Sequence, residues 1–139
     1  MTQEDKQLLL KDLCARLPYG VKCAFYGSHG VIPSNIIKID VENETVSHKP
    51  EGQSLVYFHF VESGNIKPYL RPMSSMTEEE RREYDKLIAK CIYDPEAYFF
   101  DNYDRLYDWL NSHHFDYRGL IDKSLAIVAP EEMYKYENN

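Results

Sequence analysis

The segment Ser75-Met76-Thr77-Glu78-Glu79-Glu80 separates a strand-rich part of the sequence from a helical part. Thr77 followed three residues later by Glu80 is a capping-box pattern, which predicts that a helix begins here. Ser75 with Glu78 is an alternative start for the same helix. The apolar residues that follow recur at helical spacing opposite a charged face, which predicts a single buried stripe. They are Tyr84, Leu87, Ile88, Cys91 and Ile92, and Asp94-Pro95 is the predicted end of the helix.

Before this segment, β-branched and aromatic residues alternate with polar ones between turn signals, a pattern typical of short strands. Residues 55–61 are apolar on both faces, which predicts a central strand covered by a helix on at least one side. Pro68 cannot donate a backbone hydrogen bond, so residues 66–70 are predicted to lie on an edge or at a bulge. The remaining predicted strands are residues 21–26, 37–41 and 45–48, with reversals at residues 27–30 and 42–44.

Further helices are predicted at both ends of the strand-rich part. Residues 2–17 carry apolar side chains at helical spacing, and Thr2 is a suitable N-cap. Another helix is predicted from Tyr98 or Asn102 to Ser112, before a short strand or extended segment at residues 125–128.

A helix, then a run of strands, then helices is the order typical of an α+β fold rather than of alternating βαβ units. We expect a strongly curved antiparallel sheet or a small open barrel of 4–5 strands, with helices on one side and a short closing strand. No linker or internal repeat divides the sequence, so residues 1–139 are predicted to form a single domain. The polar tail at residues 131–139 is predicted to be loose.

The composition is that of an ordinary globular protein, with 43% hydrophobic and 28% charged residues. A formal net charge of −7 disfavours attraction to nucleic acid or to anionic membranes. Cys14, Cys23 and Cys91 form no CxxC pair, which favours reduced thiols. The N-terminus lacks the features of a signal peptide, and no apolar run approaches the ~20 residues that span a bilayer. We therefore expect a soluble cytoplasmic protein.

The most enzyme-like group is His113, His114 and Asp116, because two imidazoles and a carboxylate can bind a metal or transfer protons. Consecutive histidines at a helix end point in different directions, however, so a structural role near the helix C-terminus is favoured. His59, between Phe58 and Phe60, is either a buried general base or a hydrogen-bonded core residue. Nucleophile-elbow and phosphate-loop motifs are absent from the sequence. The sequence thus predicts no catalytic residue, metal site or cofactor, and favours a non-enzymatic protein.

Tyrosine is unusually frequent, with 12 residues in the chain. Its large apolar ring with a polar tip is common at binding surfaces, although many tyrosines are half-buried structural residues. Tyr134 and Tyr136 of the tail are among those that a core is not expected to absorb. We predict a contact surface that includes Tyr69, Arg71, His114, Tyr117 and Arg118.

Residues 5–22, 66–79 and 108–121 resemble a family of short uncharacterised proteins that recurs in gut anaerobic bacteria, their phages and other mobile elements. The three segments cover both ends and the middle of the chain. The resemblance implies an intracellular accessory product of mobile or host DNA. It implies no activity, ligand or catalytic residue.

Three functions are compatible with these patterns. The first is a module that binds a host or phage protein through the Tyr-rich region and Pro68 to Met73. The second is a small enzyme or ligand-binding protein that uses His113, His114, Asp116 or His59. The third is a nucleic-acid-binding protein with a local basic patch, which the acidic total disfavours.

Overall fold

The computed structural model describes residues 1–27, 30–93 and 99–135. Three helices are seen: α1 (Gln3–Arg16), α2 (Glu78–Tyr93) and α3 (Phe99–Ser112). The strands are β1 (Lys22–Gly27), β2 (Gly30–Asp40), β3 (Thr45–Pro50), β4 (Tyr57–Phe60), β5 (Ile66–Leu70) and β6 (Ile127–Val128).

The six strands form one open sheet in the order β4-β3-β2-β1-β5-β6. The first five pair antiparallel, and β6 pairs with β5 in parallel. The predicted α+β class and its order of elements are confirmed. The sheet is not closed, and its six strands are the five predicted antiparallel strands and the predicted short closing strand, which pairs in parallel.

The N-terminal helix α1 is fixed by its cap and by its apolar face. The Thr2 hydroxyl accepts a hydrogen bond from the Asp5 amide, and the Asp5 carboxylate accepts one from the Thr2 amide, as in a capping box. A short 3₁₀ turn and Gly20, in a left-handed conformation, then lead the chain into β1. Leu9, Leu10 and Leu13 are buried against one face of the sheet, in the main core.

Helices α2 and α3 form a second apolar cluster beyond the sheet. Thr77 and Glu80 make both hydrogen bonds of the predicted capping box. Leu106 and Leu110 of α3 are buried there, and the α2 stripe from Tyr84 to Cys91 packs against them without being fully buried. Ile92 is 63% exposed, so the predicted stripe ends one residue earlier. The predicted helix end at residues 94–95 and start at residue 98 lie outside the described residues.

The opposite face of the sheet is covered at its β5 end by the C-terminal segment. Tyr134 is buried there with Ala24 and Tyr69. Its hydroxyl donates to the Tyr69 carbonyl oxygen over 2.8 Å, which pins the segment to β5. The prediction of a loose tail is therefore wrong for residues 131–135, because the aromatic ring closes a second small core. Residues 136–139, with Tyr136, lie outside the described residues.

Two strand predictions need correction. β4 is the outermost strand, not a central one, and Phe58 and Phe60 on it are exposed. β5 lies between β1 and β6 rather than on the edge. β6 pairs with β5 only at Tyr69 and Leu70, beyond Pro68, so the missing amide of Pro68 costs no hydrogen bond to β6.

The reversal between β1 and β2 brings Gly27 opposite Gly30, although Ser28 and His29 lie outside the described residues.

All three cysteines are free thiols, as predicted. Cys23 is buried, and burial raises the pKa of its thiol to about 12. Cys14, on α1, is exposed. Within the described ranges, no helix has both the length and the apolar character required to cross a bilayer.

Candidate functional site

Two of the predicted contact residues, Arg71 and His114, meet where the end of β5 lies beside the segment after α3. The Arg71 amide donates to the His114 carbonyl oxygen over 2.8 Å, and the Asp116 amide donates to the Arg71 carbonyl oxygen over 2.8 Å. These two bonds hold Arg71 beside Phe115 in a short parallel bridge. The structure therefore brings Arg71 and His114 into direct contact through the backbone, although Tyr69 and His114 are buried and do not belong to an exposed surface.

Arg71 borders a surface cleft of about 390 Å³ between the start of α2 and the C-terminal segment. Its guanidinium donates two hydrogen bonds to Glu80, over 2.8 and 2.7 Å, and lies 4.2 Å from the centre of the Phe115 ring. Burial raises the pKa of Glu80, but hydrogen bonds from Arg71 and from the Thr77 amide outweigh it and lower the pKa overall. The charge of Arg71 is thus committed to Glu80 within the chain.

His113, His114 and Asp116 have separate structural roles. The His113 ring stacks on Trp109, with its Nδ1 atom 2.9 Å from the Trp109 carbonyl oxygen. Asp116 accepts hydrogen bonds from the amides of Leu120 and Ile121, each over 2.9 Å. Among the described residues, no group of three His, Cys, Asp or Glu side chains could hold a metal ion.

His114 is held as a neutral ring. It is buried and stacks on Tyr134 with 3.6 Å between ring centres. Burial, followed by the charge of Arg16, lowers its pKa to about 3. A neutral, stacked imidazole inside the fold suits packing rather than contact with a partner.

Tyr117 and Arg118 belong to a charged cluster with α1 that was not predicted from the sequence. Asp12 is fully buried and accepts hydrogen bonds from Arg16 over 2.8 Å and from Arg118 over 2.9 Å. Arg16 also donates to the Phe115 carbonyl oxygen over 2.6 Å. The guanidinium groups of Arg16 and Arg118 lie 5.3 and 4.6 Å from the Tyr117 ring centre. The i, i+4 spacing of Asp12 and Arg16 on α1 was the only sequence signal for this cluster.

His59 pairs with a second histidine, His48, on the covered face of the sheet. His48 Nε2 lies 3.0 Å from His59 Nδ1, and both rings contact Phe25. Burial and, to a smaller extent, the neighbouring His59 lower the pKa of His48 to about 4. Burial also lowers the pKa of His59. His59 is thus half-buried, and its hydrogen-bonding neighbour is the fully buried His48.

The outer edge of β4 carries an exposed apolar surface that was not predicted from the sequence. Phe58 and Phe60 on β4, and Val56 just before it, are every second residue of this stretch, and these residues are 60%, 51% and 55% exposed. Phe58 and Phe60 contact each other edge to face, with ring centres 5.7 Å apart. The strand next to them contributes Thr45 and Ser47 opposite Phe60 and Phe58, and these side chains are too short to cover the rings.

Comparisons with known proteins assign no function to this surface. The chain matches no protein-family model, no curated protein and no solved structure.

Proposed function

We propose that this chain is a non-enzymatic protein-interaction module whose contact surface is the outer edge of β4. The observation that carries the proposal is the row formed by Phe58 and Phe60 on an edge strand and Val56 just before it, residues that are each more than half exposed. Exposed apolar groups that lie together on a surface mark sites of association. An edge strand also offers unpaired backbone groups to another extended chain.

The mode of binding that fits this surface is strand addition. An extended segment of a partner can pair with the β4 backbone while its side chains cover Phe58 and Phe60. Affinity then comes from backbone hydrogen bonds and from apolar burial, which supplies about 25 cal/mol for each Å² removed from water. We therefore propose β4 as the contact surface instead of the predicted region around Tyr69 and Arg71, where Tyr69 is buried and the Arg71 side chain binds Glu80.

The other candidate functions have less support from the geometry. A small enzyme using His113, His114 or Asp116 would need groups that act on a common substrate, whereas each of these side chains or rings is engaged in a separate structural contact. Cytoplasmic location, origin in mobile DNA and the family resemblance remain predictions, and none of them supplies an activity.

The proposal is tested by placing a photo-reactive phenylalanine analogue at position 58 and activating it in cells that produce the protein. We expect covalent adducts to another polypeptide chain at position 58. The matched control carries the analogue at Ile92, which is similarly exposed but lies on α2. Equal adduct yields at the two positions, or no adduct at position 58, would overturn the proposal.

A further inference from the structure

The backbone of β4 is oriented so that it can accept a further strand. The Val61 amide donates to the Glu44 carbonyl oxygen over 2.9 Å, in the same register as the β3–β4 ladder. Hydrogen-bonded and non-hydrogen-bonded pairs alternate in an antiparallel ladder. Tyr57 and His59 therefore bond towards β3, whereas the amide and carbonyl groups of Phe58 and Phe60 point outwards.

The exposed side chains and the outward backbone groups belong to the same residues. Side chains two residues apart lie on one face of a strand, so Val56, Phe58 and Phe60 share the uncovered face. On the other face, the Tyr57 and His59 rings pack against Phe25. Any strand that pairs with β4 thus meets three apolar side chains on one face and two uncharged ring side chains on the other.

The edge lacks the charges that normally prevent two such strands from meeting. No Asp, Glu, Lys or Arg occurs from residue 53 to residue 61. Natural edge strands are commonly protected by lysine, proline or a bulge. A partner selected by charge would find no complementary group in this stretch, whereas a second copy of the same uncharged, apolar stretch matches it.

We propose that β4 pairs with β4 of a second copy, antiparallel and about a two-fold axis at Phe58; this partner assignment rests on the proposed function. The axis sets Phe58 opposite Phe58, and Val56 opposite Phe60 of the other copy. Each of these pairs can exchange two backbone hydrogen bonds. Tyr57 then faces His59 of the other copy, so no like charges oppose each other.

The dimer is weak and depends on salt. A contact of one short strand buries less than the roughly 1,200 Å² typical of stable complexes, so association needs high protein concentration. Each copy carries a net charge of −7, which repels the other copy at a distance. Added salt screens that repulsion, so dimer formation increases with ionic strength.

Sedimentation of the purified chain from about 5 μM to about 1 mM tests the association, since weak dimers populate in this range. The wild type and Ile92→Lys should form dimers, and Phe58→Lys should raise the dimer dissociation constant at least about 100-fold, because two lysines then face each other in the contact. Circular dichroism checks that Phe58→Lys remains folded. A wild type that stays monomeric throughout, or a Phe58→Lys chain that dimerises like the wild type, would overturn the assignment.

Disulfide trapping tests the register. In a background with Cys14→Ser and Cys91→Ser, Phe58→Cys should form a covalent dimer, because Cα atoms at a hydrogen-bonded pair lie about 5.5 Å apart, within disulfide range. Phe60→Cys is the matched control, since it carries the same change on the same face and should not cross-link to itself. A disulfide between Phe58→Cys and Phe60→Cys chains, without one between two Phe58→Cys chains, contradicts the register.

The outcomes also separate this inference from the proposed function. If position 58 forms adducts only with a different protein in cells and the purified chain is monomeric, β4 is supported as the contact surface. The assignment of a second copy as its partner is then wrong. If position 58 forms no adduct and the purified chain is monomeric, both proposals fail.

Discussion

At the scale of single residues, the fold depends most on the buried carboxylate of Asp12. It is the shared acceptor of Arg16 and Arg118, and Arg16 is itself fully buried. Removing one member of a buried ion pair leaves an uncompensated charge inside the protein, which typically costs 3–5 kcal/mol. We expect Asp12→Ala to lower the free energy of unfolding by about 3–5 kcal/mol in urea denaturation. Asp85→Ala, at an exposed position of α2, is the control and should change it by less than about 0.5 kcal/mol.

The two buried histidines should make stability depend on pH. In the folded chain, burial lowers the pKa of His48 to about 4 and that of His114 to about 3. In the unfolded chain the two histidines take up protons at about pH 6.5. Their contribution to stability is therefore fully present above that pH and is lost as the pH falls towards the folded pKa values. The expected loss is about 1.4 kcal/mol per pH unit for each histidine.

Urea denaturation between pH 7 and pH 5 measures this slope. His114→Gln should flatten it, because a glutamine takes up no proton on unfolding. An equal slope in the variant and the wild type would show that His114 does not stay neutral in the folded chain.

At the scale of elements, features that depend on residues close in sequence were predicted correctly, and features that depend on distant partners were not. The caps at Thr2 and Thr77 bind amides only three residues away, so sequence spacing alone predicts them. The position of β4 depends on which strand lies beside it, and an apolar run has the same appearance at the centre and at the edge of a sheet. The burial of Tyr134 depends on Tyr69, far away along the chain, and no local pattern reports such a contact. The candidate surface on β4 was missed for the same reason.

The start of α2 depends on one hydroxyl group. Thr77 accepts a hydrogen bond from the Glu80 amide over 3.1 Å, and Glu80 in turn holds Arg71. Thr77→Ala removes the cap, and we expect it to lower the free energy of unfolding by about 1 kcal/mol, the usual value for an N-cap. Thr77→Ser keeps a capping hydroxyl and should lie close to the wild type in the same urea denaturation. Equal losses in both variants would mean that the cap is not what stabilises this end of α2.

At the scale of the whole molecule, the C-terminal segment links the sheet to the loop after α3. Tyr134 stacks on His114, and its hydroxyl donates to the Tyr69 carbonyl oxygen, so one side chain contacts both parts. Tyr134→Ala opens the small core on that face of the sheet, and we expect it to cost about 3 kcal/mol of unfolding free energy. Tyr134→Phe keeps the ring and should cost about 1–2 kcal/mol, because the hydroxyl donates to the Tyr69 carbonyl oxygen and also accepts from the Lys22 amide over 3.1 Å.

Tyr93→Ala is the matched control, because Tyr93 is 81% exposed and its removal should leave stability within about 0.5 kcal/mol of the wild type. Urea denaturation of the three variants at pH 7 gives the comparison. If Tyr134→Ala lowers the free energy of unfolding no more than Tyr93→Ala does, packing of the C-terminal segment does not stabilise the fold. If it is harmful and Tyr134→Phe is mild, ring packing contributes more than the hydroxyl. That order is expected, because Tyr134→Ala removes the ring that fills space between two elements and also removes the hydroxyl, whereas Tyr134→Phe removes only the hydroxyl and its hydrogen bonds to Tyr69 and Lys22.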